Sequence, residues 1–168
     1  YTDTQLNYCS NNKMSTLMYH HTLAELGAPF SLPCQPTAVS APQWLAFNPE
    51  LAARLQLPEE FWGTDAGIGL FSGNQLPEWV RPVAHAYAGH QFGHFVPQLG
   101  DGRALLLAEL ADDQGQLFDL QLKGAGQTPF SRRGDGRAPL GPVLREYLVS
   151  EAMHALGIPT TRTRATGS

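Results

Sequence analysis

The order of apolar and polar residues predicts a β-hairpin in the second half of the chain. Residues 103–110 (RALLLAEL) and 116–123 (QLFDLQLK) each have the length of a strand, and the second alternates apolar with polar positions. The intervening residues, ADDQG, are typical of a turn. We therefore expect two antiparallel strands, the second of which ends at Lys123.

A helix is predicted downstream, over residues 141–157 (GPVLREYLVSEAMHALG). Gly157 and Pro159 are typical of a helix end. Glu146 lies off the apolar face. That face repeats at helical spacing and consists of Leu144, Tyr147, Leu148, Ala152, Ala155 and Leu156.

The first half shows weaker patterns. Residues 15–26 have a weak helical repeat, and Asn48 followed by Pro49 predicts the start of a second helix. Residues 63–82 are rich in Gly, Pro and Asn and predict a loop with one short helix. We divide the chain into a disordered leader or upstream sequence (1–13), an N-terminal helical and loop segment (14–80), and a third part (81–168).

The predicted hairpin and helices indicate an α+β fold, and composition indicates a folded protein with many loops. Of 168 residues, 42% are hydrophobic and only 15% are charged, while 17 glycines and 13 prolines break the chain into short elements. The sequence contains neither a run of 18 apolar residues nor a secretory signal. Cys9 and Cys34 are too few for a disulfide framework. We expect a cytoplasmic protein that makes no contact with membranes.

Charge is distributed unevenly along the chain. Residues 123–168 carry seven basic and three acidic side chains, a net charge of +4, whereas residues 1–122 have a net charge of −8. A nucleic-acid-binding surface normally needs a broad basic face. The distribution therefore favours a local anion site and no nucleic-acid partner.

Two glycine-bearing stretches flank the predicted hairpin, residues 89–103 before it and 123–137 after it. Each ends in the sequence GDGR. Glycine lets backbone N–H groups approach an anion closely, and Lys and Arg supply the countercharge. We interpret the pair as a phosphate site; the alternative is two tight turns with surface arginines.

The glycines match neither of two common nucleotide motifs. A P-loop requires GxxxxGK[ST], but here the lysine precedes the glycines, and GAGQTP lacks the third glycine of a dinucleotide fingerprint. The order does match protein kinases, in which a lysine on a strand holds phosphates and pairs with a glutamate on the next helix. Lys123 and Glu146 stand in that order. HRD and DFG motifs are absent, so an ordinary protein kinase is not supported and we expect a pseudokinase.

Three long strings extend this likeness to a family. They are YAGHQFGHFVPQLGDGRALLLAEL, LKGAGQTPFSRRGDGRAPL and REYLVSEAMHALGIPTTR, and together they resemble the N-terminal part of the selenoprotein O family of kinase-like protein adenylyltransferases. The resemblance is dense over residues 81–164 and looser over 35–80. It makes residues 81–168 the nucleotide-binding part of a kinase-like domain.

The resemblance implies an activity and a set of site residues. ATP would bind in a flipped orientation, so that AMP is transferred to a Ser, Thr or Tyr hydroxyl of a protein substrate, with Mg or Mn. Glu146 matches the helix glutamate that orients the lysine. The positions that match the family's nucleotide-binding residues are Gly100, Gly102, Arg103, Lys123, Asp135 and Gly136.

The resemblance also implies that groups essential for catalysis lie outside this sequence. In the family, the catalytic aspartate and the metal-binding Asn and Asp follow at positions beyond Ser168. We therefore expect a kinase-like N-terminal lobe without its catalytic lobe, with no catalytic base and no metal ligand of its own, and inactive alone. A non-catalytic nucleotide- or phosphate-binding module is the alternative.

Other residues raise other possibilities. His85, His90 and His94 suggest a metal site, since His90 and His94 would share a helix face, but Gly89 and Gly93 argue against a helix there. We favour ordinary packing or hydrogen-bonded histidines, and expect the tryptophans to lie in the core. Ser131 has no surrounding GxSxG motif, so a hydrolase is not indicated.

Overall fold

The computed structural model describes residues 5–8, 15–163 and 165–167, which form an α+β structure. The strands in these ranges are β1 (Gln5–Tyr8), β2 (Ser15–His20), β3 (Ser31–Pro33), β4 (Trp44–Phe47), β5 (Val83–His85), β6 (Gly89–Gln91), β7 (His94–Val96), β8 (Ala104–Ala111), β9 (Leu117–Lys123) and β10 (Ala165–Gly167). The helices are α1 (Thr22–Leu26), α2 (Pro49–Arg54), α3 (Asp65–Ser72) and α4 (Leu140–Ala155), with a 3-10 turn at Glu59–Phe61.

Strand β8 lies at the centre of a six-stranded antiparallel sheet. Strand β9 pairs with it from Ala104 opposite Lys123 to Ala111 opposite Leu117. Strands β2 and β5 both pair with β8 as well, and the sheet continues through β1 beside β2 and β3 beside β5. Two separate antiparallel pairs, β4 with β10 and β6 with β7, complete the strand pairing of the described residues.

The predicted hairpin of residues 103–123 is confirmed. Its turn is closed by Asp112, whose Oδ1 accepts hydrogen bonds from the amides of Gln114 and Gln116. The register shifts between Leu106 and Ala108, so that Leu107 is an extra residue on β8. The second strand ends at Lys123, as predicted.

The core forms on both faces of β8. Every residue from Leu105 to Ala111 is buried, which explains why this strand is a continuous apolar run interrupted only by Glu109. Strand β9 alternates, with Leu120 and Leu122 buried between exposed polar residues. Trp79 and residues of α2, the 3-10 turn and α3 complete the core.

The predicted helix over residues 15–26 is wrong in its first half. Ser15–His20 is strand β2, and only Thr22–Leu26 is helical. Leu17 is buried, Met18 is 39% exposed and Tyr19 packs against the core, which is the period of a strand. Pairing of Tyr19 with Leu110 outweighs the weak helical repeat of so short a segment.

Two other first-half predictions, the start of α2 and the short helix within residues 63–82, are confirmed. Asn48 caps α2 by accepting a hydrogen bond from the Leu51 amide at 3.0 Å, with Pro49 in the first turn. Residues 63–82 contain one short helix, α3. Of the predicted leader, residues 1–4 and 9–13 lie outside the described residues, and Gln5–Tyr8 forms β1.

Helix α4 is confirmed as a helix, but its apolar face is not buried. Leu144, Leu148 and Leu156 are 38%, 67% and 76% exposed, and Ser150 is the one buried residue of the helix. The sequence pattern predicted the conformation of α4 correctly without showing what packs against it.

In the described residues, no helix has the length and apolar character needed to cross a membrane.

Candidate functional site

Lys123 and Glu146 form an ion pair at the end of the central hairpin. Lys123 is the last residue of β9 and Glu146 lies in the second turn of α4. The Lys123 Nζ atom lies 2.6 Å from Glu146 Oε1, and each side chain is 50% exposed. The structure thus brings together two residues that are 23 positions apart. They stand in the same order as the strand lysine and helix glutamate that form an ion pair in protein kinases.

The first loop, residues 97–103, joins β7 to β8 and contains the first GDGR. The amides of Leu99 and Gly100 donate to the Tyr87 carbonyl at 2.7 and 3.1 Å, and the Asp101 amide donates to the His85 carbonyl at 2.9 Å. The Asp101 carboxylate faces His85 and Tyr87. Burial, together with the charge and a hydrogen bond of Asp101, raises the pKa of the Tyr87 phenol.

The second loop, residues 124–139, joins β9 to α4 and contains the second GDGR. It starts against the first loop, because the amides of Gly124 and Ala125 donate to the Arg103 carbonyl at 2.7 and 3.4 Å. It then closes on itself, with the Gly126 amide donating to the Gly136 carbonyl at 3.3 Å.

Asp135 and Arg137 stabilise the second loop, the first by a local contact and the second by a contact with a distant segment. Asp135 Oδ1 accepts a hydrogen bond from the Arg137 amide at 2.9 Å, and the Arg137 guanidinium donates to the Ala38 carbonyl at 2.9 Å. Asp135 is exposed. Its carboxylate therefore orders the backbone of this loop while it stays accessible from solvent.

The two loops are joined by side chains of the second loop. Ser131 Oγ donates to the Gly102 carbonyl at 2.5 Å, and Thr128 Oγ1 donates to the Asp101 carbonyl. Phe130 packs against Gly100 so closely that a Cβ atom at residue 100 would overlap the aromatic ring.

The three predicted site glycines meet different steric conditions. Gly100 and Gly136 have φ values of +58° and +70°, and both lie where a side chain would collide with neighbouring atoms. Gly102 lies outside the left-handed region, and the nearest atom to a Cβ there would be the Phe130 carbonyl oxygen at 3.4 Å. The fold therefore requires glycine at 100 and 136, but not at 102.

Exposed positive charge is concentrated near these loops. Arg103 lies in the first loop and is exposed, as are Arg132 and Arg133 in the second loop. Arg145, next to Glu146 in α4, is also exposed. With Lys123, these side chains give the loops the local positive charge that the sequence predicts, and such a site can hold an anion of several charges.

The histidines do not lie on a shared helix. His90 belongs to β6 and His94 to β7, with Gln91 paired opposite His94. His85 lies apart in β5, and its Nδ1 is 3.6 Å from Asp101 Oδ2. Among the described residues, no three His, Cys, Asp or Glu side chains form a group that could hold a metal ion.

Sequence reasoning missed the contacts that hold α4. Glu151 accepts two hydrogen bonds from the Arg162 guanidinium, at 3.0 and 2.7 Å, and one from the Asn48 side chain at 2.9 Å. These bonds from Arg162 lower the pKa of Glu151. Asn48 is predicted as a helix cap, but its second contact spans 103 positions and leaves no local sequence signal.

Sequence reasoning also missed how the loops interlock. It considered Ser131 only as a possible nucleophile and gave no role to Thr128 or Phe130. Thr128 and Ser131 lie 27 and 29 positions from the carbonyls they bind. The glycines were the only local sequence signal that this loop is structured.

Comparison with known proteins identifies the family. The family model described as protein adenylyltransferase SelO matches residues 13–165. A protein nucleotidyltransferase YdiU of Rhizobium meliloti is 59% identical over 152 residues, and those of Nitrobacter hamburgensis and Agrobacterium fabrum are 52% and 57% identical. The alignments cover 90%, 93% and 89% of this chain, but the chain spans only about 31% of the length of each relative. The chain belongs to the SelO family of protein adenylyltransferases.

Proposed function

We propose that this chain is the ATP-binding part of a protein adenylyltransferase, which transfers AMP from ATP to Ser, Thr or Tyr hydroxyls of proteins. The observation that carries the proposal is the Lys123–Glu146 ion pair beside two interlocked glycine loops. The names of the relatives support nucleotidyl transfer as the reaction class.

A kinase-like N-terminal lobe is part of the proposal. The antiparallel hairpin, the lysine at the end of β9 and the glutamate on α4 follow one another in the order found in protein kinases. In that arrangement the lysine contacts nucleotide phosphates and the glutamate holds it in place.

The exposure of the ion pair favours a role in binding over a role in stability. Ion pairs between exposed side chains contribute only about 0.2–1 kcal/mol to folding, and both partners here are half exposed. A hydrogen bond from a charged group to a phosphate contributes more, roughly 1.5–3 kcal/mol. We infer that Glu146 orients the ammonium group of Lys123 towards phosphate.

The remaining predicted residues divide between ligand contact and loop shape. Gly102 and Arg103 offer backbone amides and a guanidinium that suit phosphate oxygens. Asp135 is exposed and can accept a hydrogen bond from a ribose or a base. Gly100 and Gly136 give the two loops the shape that places these groups.

In the transfer itself, a hydroxyl oxygen forms a bond to the α-phosphorus of ATP, the bond to the bridging oxygen breaks, and pyrophosphate leaves. The hydroxyl proton requires an acceptor, and the phosphates require Mg²⁺ or Mn²⁺. We assign neither the base nor a metal ligand to this chain. We therefore expect the 168-residue chain to bind ATP without transferring AMP.

The test is binding of ATP to ¹⁵N-labelled chain, followed by NMR because weak binding is then measurable. Lys123→Ala should weaken binding about tenfold or more. Arg81→Ala removes an exposed positive charge outside both loops and serves as the control. Equal affinities for Lys123→Ala and Arg81→Ala would rule out the proposed role of Lys123.

A double-mutant cycle tests the pairing in binding. If Glu146 acts through Lys123, the effects of Glu146→Gln and Lys123→Met on ATP affinity are strongly non-additive, because either substitution already removes the pair. Additive effects would show that the two residues act separately.

The alternative is a non-catalytic nucleotide- or phosphate-binding module, which the same loops and cations would also serve. Incubation with labelled ATP, Mn²⁺ and an acceptor protein separates the two functions in a longer form of the chain, extended to the length of the curated relatives. The adenylyltransferase is expected to give covalent label that Lys123→Ala abolishes. Binding without label would favour the module.

A further inference from the structure

The contacts between the two loops are polar and specific. Residues 128–131, here called the clamp segment, reach the first loop through two hydroxyls, Thr128 Oγ1 to the Asp101 carbonyl and Ser131 Oγ to the Gly102 carbonyl. The hydroxyls are themselves fixed. The Thr128 amide donates to Ser131 Oγ at 2.8 Å, and the Phe130 amide donates to Thr128 Oγ1 at 3.1 Å.

The direction of these bonds determines where the neighbouring amides point. In a planar trans peptide, the C=O of one residue and the N–H of the next point in opposite directions. Because the carbonyls of Asp101 and Gly102 both point to the clamp segment, the N–H groups of Gly102 and Arg103 point away from it. Two consecutive backbone amides are therefore available as donors on the side of the first loop that faces away from the clamp segment.

Neither amide is used within the structure. Over the described residues, the N–H groups of Gly102 and Arg103 donate to no backbone or side-chain acceptor. Consecutive free amides form a concave site for an anion. A Cβ atom at residue 102 would lie nearest Phe130 and Ser131, on the side of the clamp segment and not on the face to which the two amides point.

We propose that Thr128 and Ser131 are positioning residues, whose hydroxyls fix the first loop so that the amides of Gly102 and Arg103 point at nucleotide phosphate. The inference rests on the proposed ATP-binding function and adds the two residues that orient the phosphate-binding peptides. Neither side chain contacts the nucleotide itself.

Because other contacts also hold the loops together, a positioning role and a purely structural role of the hydroxyls predict different results. Phe130 packs against the core and against Gly100, and three amides of residues 99–101 bind carbonyls of Tyr87 and His85. These contacts remain when the hydroxyls are removed. Loss of the hydroxyls should therefore free the peptides of residues 101–103 to rotate and leave the loops in place.

The experiment uses the 168-residue chain with two variants, Thr128→Val and Ser131→Ala, and their combination. Thr128→Ser keeps the hydroxyl and should restore the wild-type result. Ser40→Ala is the matched control, because Ser40 is exposed and makes no side-chain hydrogen bond in the described part of the chain. The probes are ATP, inorganic tripolyphosphate and adenosine.

We expect each lost hydroxyl to weaken binding of ATP and of tripolyphosphate about fivefold. Adenosine binding should change less than twofold, since adenosine has no phosphate. The thermal midpoints should stay close to that of Ser40→Ala, and the amide resonances of Gly102 and Arg103 should lose the shifts that tripolyphosphate causes in the wild type. A merely structural role would instead weaken all three ligands together and lower the midpoint.

Two results would overturn the inference. If the wild type binds ATP and both hydroxyl variants bind it equally well, the positioning role is wrong while the proposed function stands. If the wild type itself binds neither ATP nor tripolyphosphate, the proposed function and the positioning role fail together.

Discussion

Strand β8 and helix α4 are both rich in leucine, yet these leucines are buried in β8 and exposed in α4. All seven residues from Leu105 to Ala111 are buried, and they pack on both faces of the sheet. In α4 the leucines are exposed, and the helix is held by polar contacts of Glu146 and Glu151. Apolar content alone therefore does not show which element carries the stability of this chain.

The largest difference should come from truncating one leucine in each region. Leu107→Ala removes a fully buried side chain and should cost about 2–5 kcal/mol of unfolding free energy, because it leaves a cavity. Leu148→Ala changes a residue that is 67% exposed and should stay within about 0.5 kcal/mol. Urea unfolding measures both, and equal losses would contradict the comparison.

A smaller loss of unfolding free energy is expected when the contact between Arg162 and Glu151 of α4 is removed. Arg162→Ala removes two hydrogen bonds to Glu151 and should destabilise the chain by roughly 1.5–3 kcal/mol, since both partners are charged and partly buried. Arg145→Ala, at an exposed position of α4, is the control. Hydrogen exchange of α4 amides should rise in Arg162→Ala only; unchanged exchange would mean that other contacts hold the helix.

The pH dependence of stability should distinguish the two regions. Burial lowers the pKa of His21, whose Nε2 lies 2.9 Å from the Trp79 carbonyl oxygen. Its contribution is present above the ordinary value of 6.5 and is lost as pH falls below that value through the folded pKa, because the unfolded state binds the proton more readily. His21→Gln should flatten this part of the stability profile measured by thermal unfolding.

The contribution of Glu151 to stability should be lost at a lower pH than the contribution of His21. Hydrogen bonds from Arg162 lower its pKa, so its contribution is present above the ordinary value of 4.5 and is lost as pH falls through the folded value. Arg162→Ala should remove the loss of stability caused by protonation of Glu151 and keep the loss caused by protonation of His21. If every variant lost stability in a single step that spanned the pH ranges of both His21 and Glu151, the sheet and the helix would not respond to pH separately.

Only a small effect on stability is expected at the candidate site. Lys123→Met breaks an ion pair between half-exposed partners and should change unfolding free energy by at most about 1 kcal/mol. The same substitution should greatly weaken ATP binding. A loss of stability as large as that of Leu107→Ala would mean that the pair is structural.

The sequence predicted the elements whose patterns are local. Strand β9 alternates, α4 has a helical repeat closed by Gly157, and both were located from a few neighbouring residues. Lys123 and Glu146 followed from the order of these two elements. The prediction for β2 was wrong because its conformation depends on pairing with β8, some 90 residues away in the chain.

The contacts within the candidate site were less accessible to sequence reasoning. The glycines and arginines indicated an anion site, but the bonds from Thr128 and Ser131 join hydroxyls to backbone carbonyls, and any residue supplies such a carbonyl. The attachment of α4 through Asn48 and Arg162 depends on the fold in the same way. Local patterns reveal which side chains are available, whereas their partners are set by the tertiary structure.

The strict requirement for glycine at positions 100 and 136 has a consequence for evolution within the family. Backbone conformation and crowding at these positions exclude a side chain whether or not a nucleotide is bound. A descendant that lost its catalytic activity would therefore keep both glycines for as long as it kept the fold. Gly102 carries no such steric restriction, so of the three site glycines it is the one at which the fold of such a descendant would first tolerate a side chain.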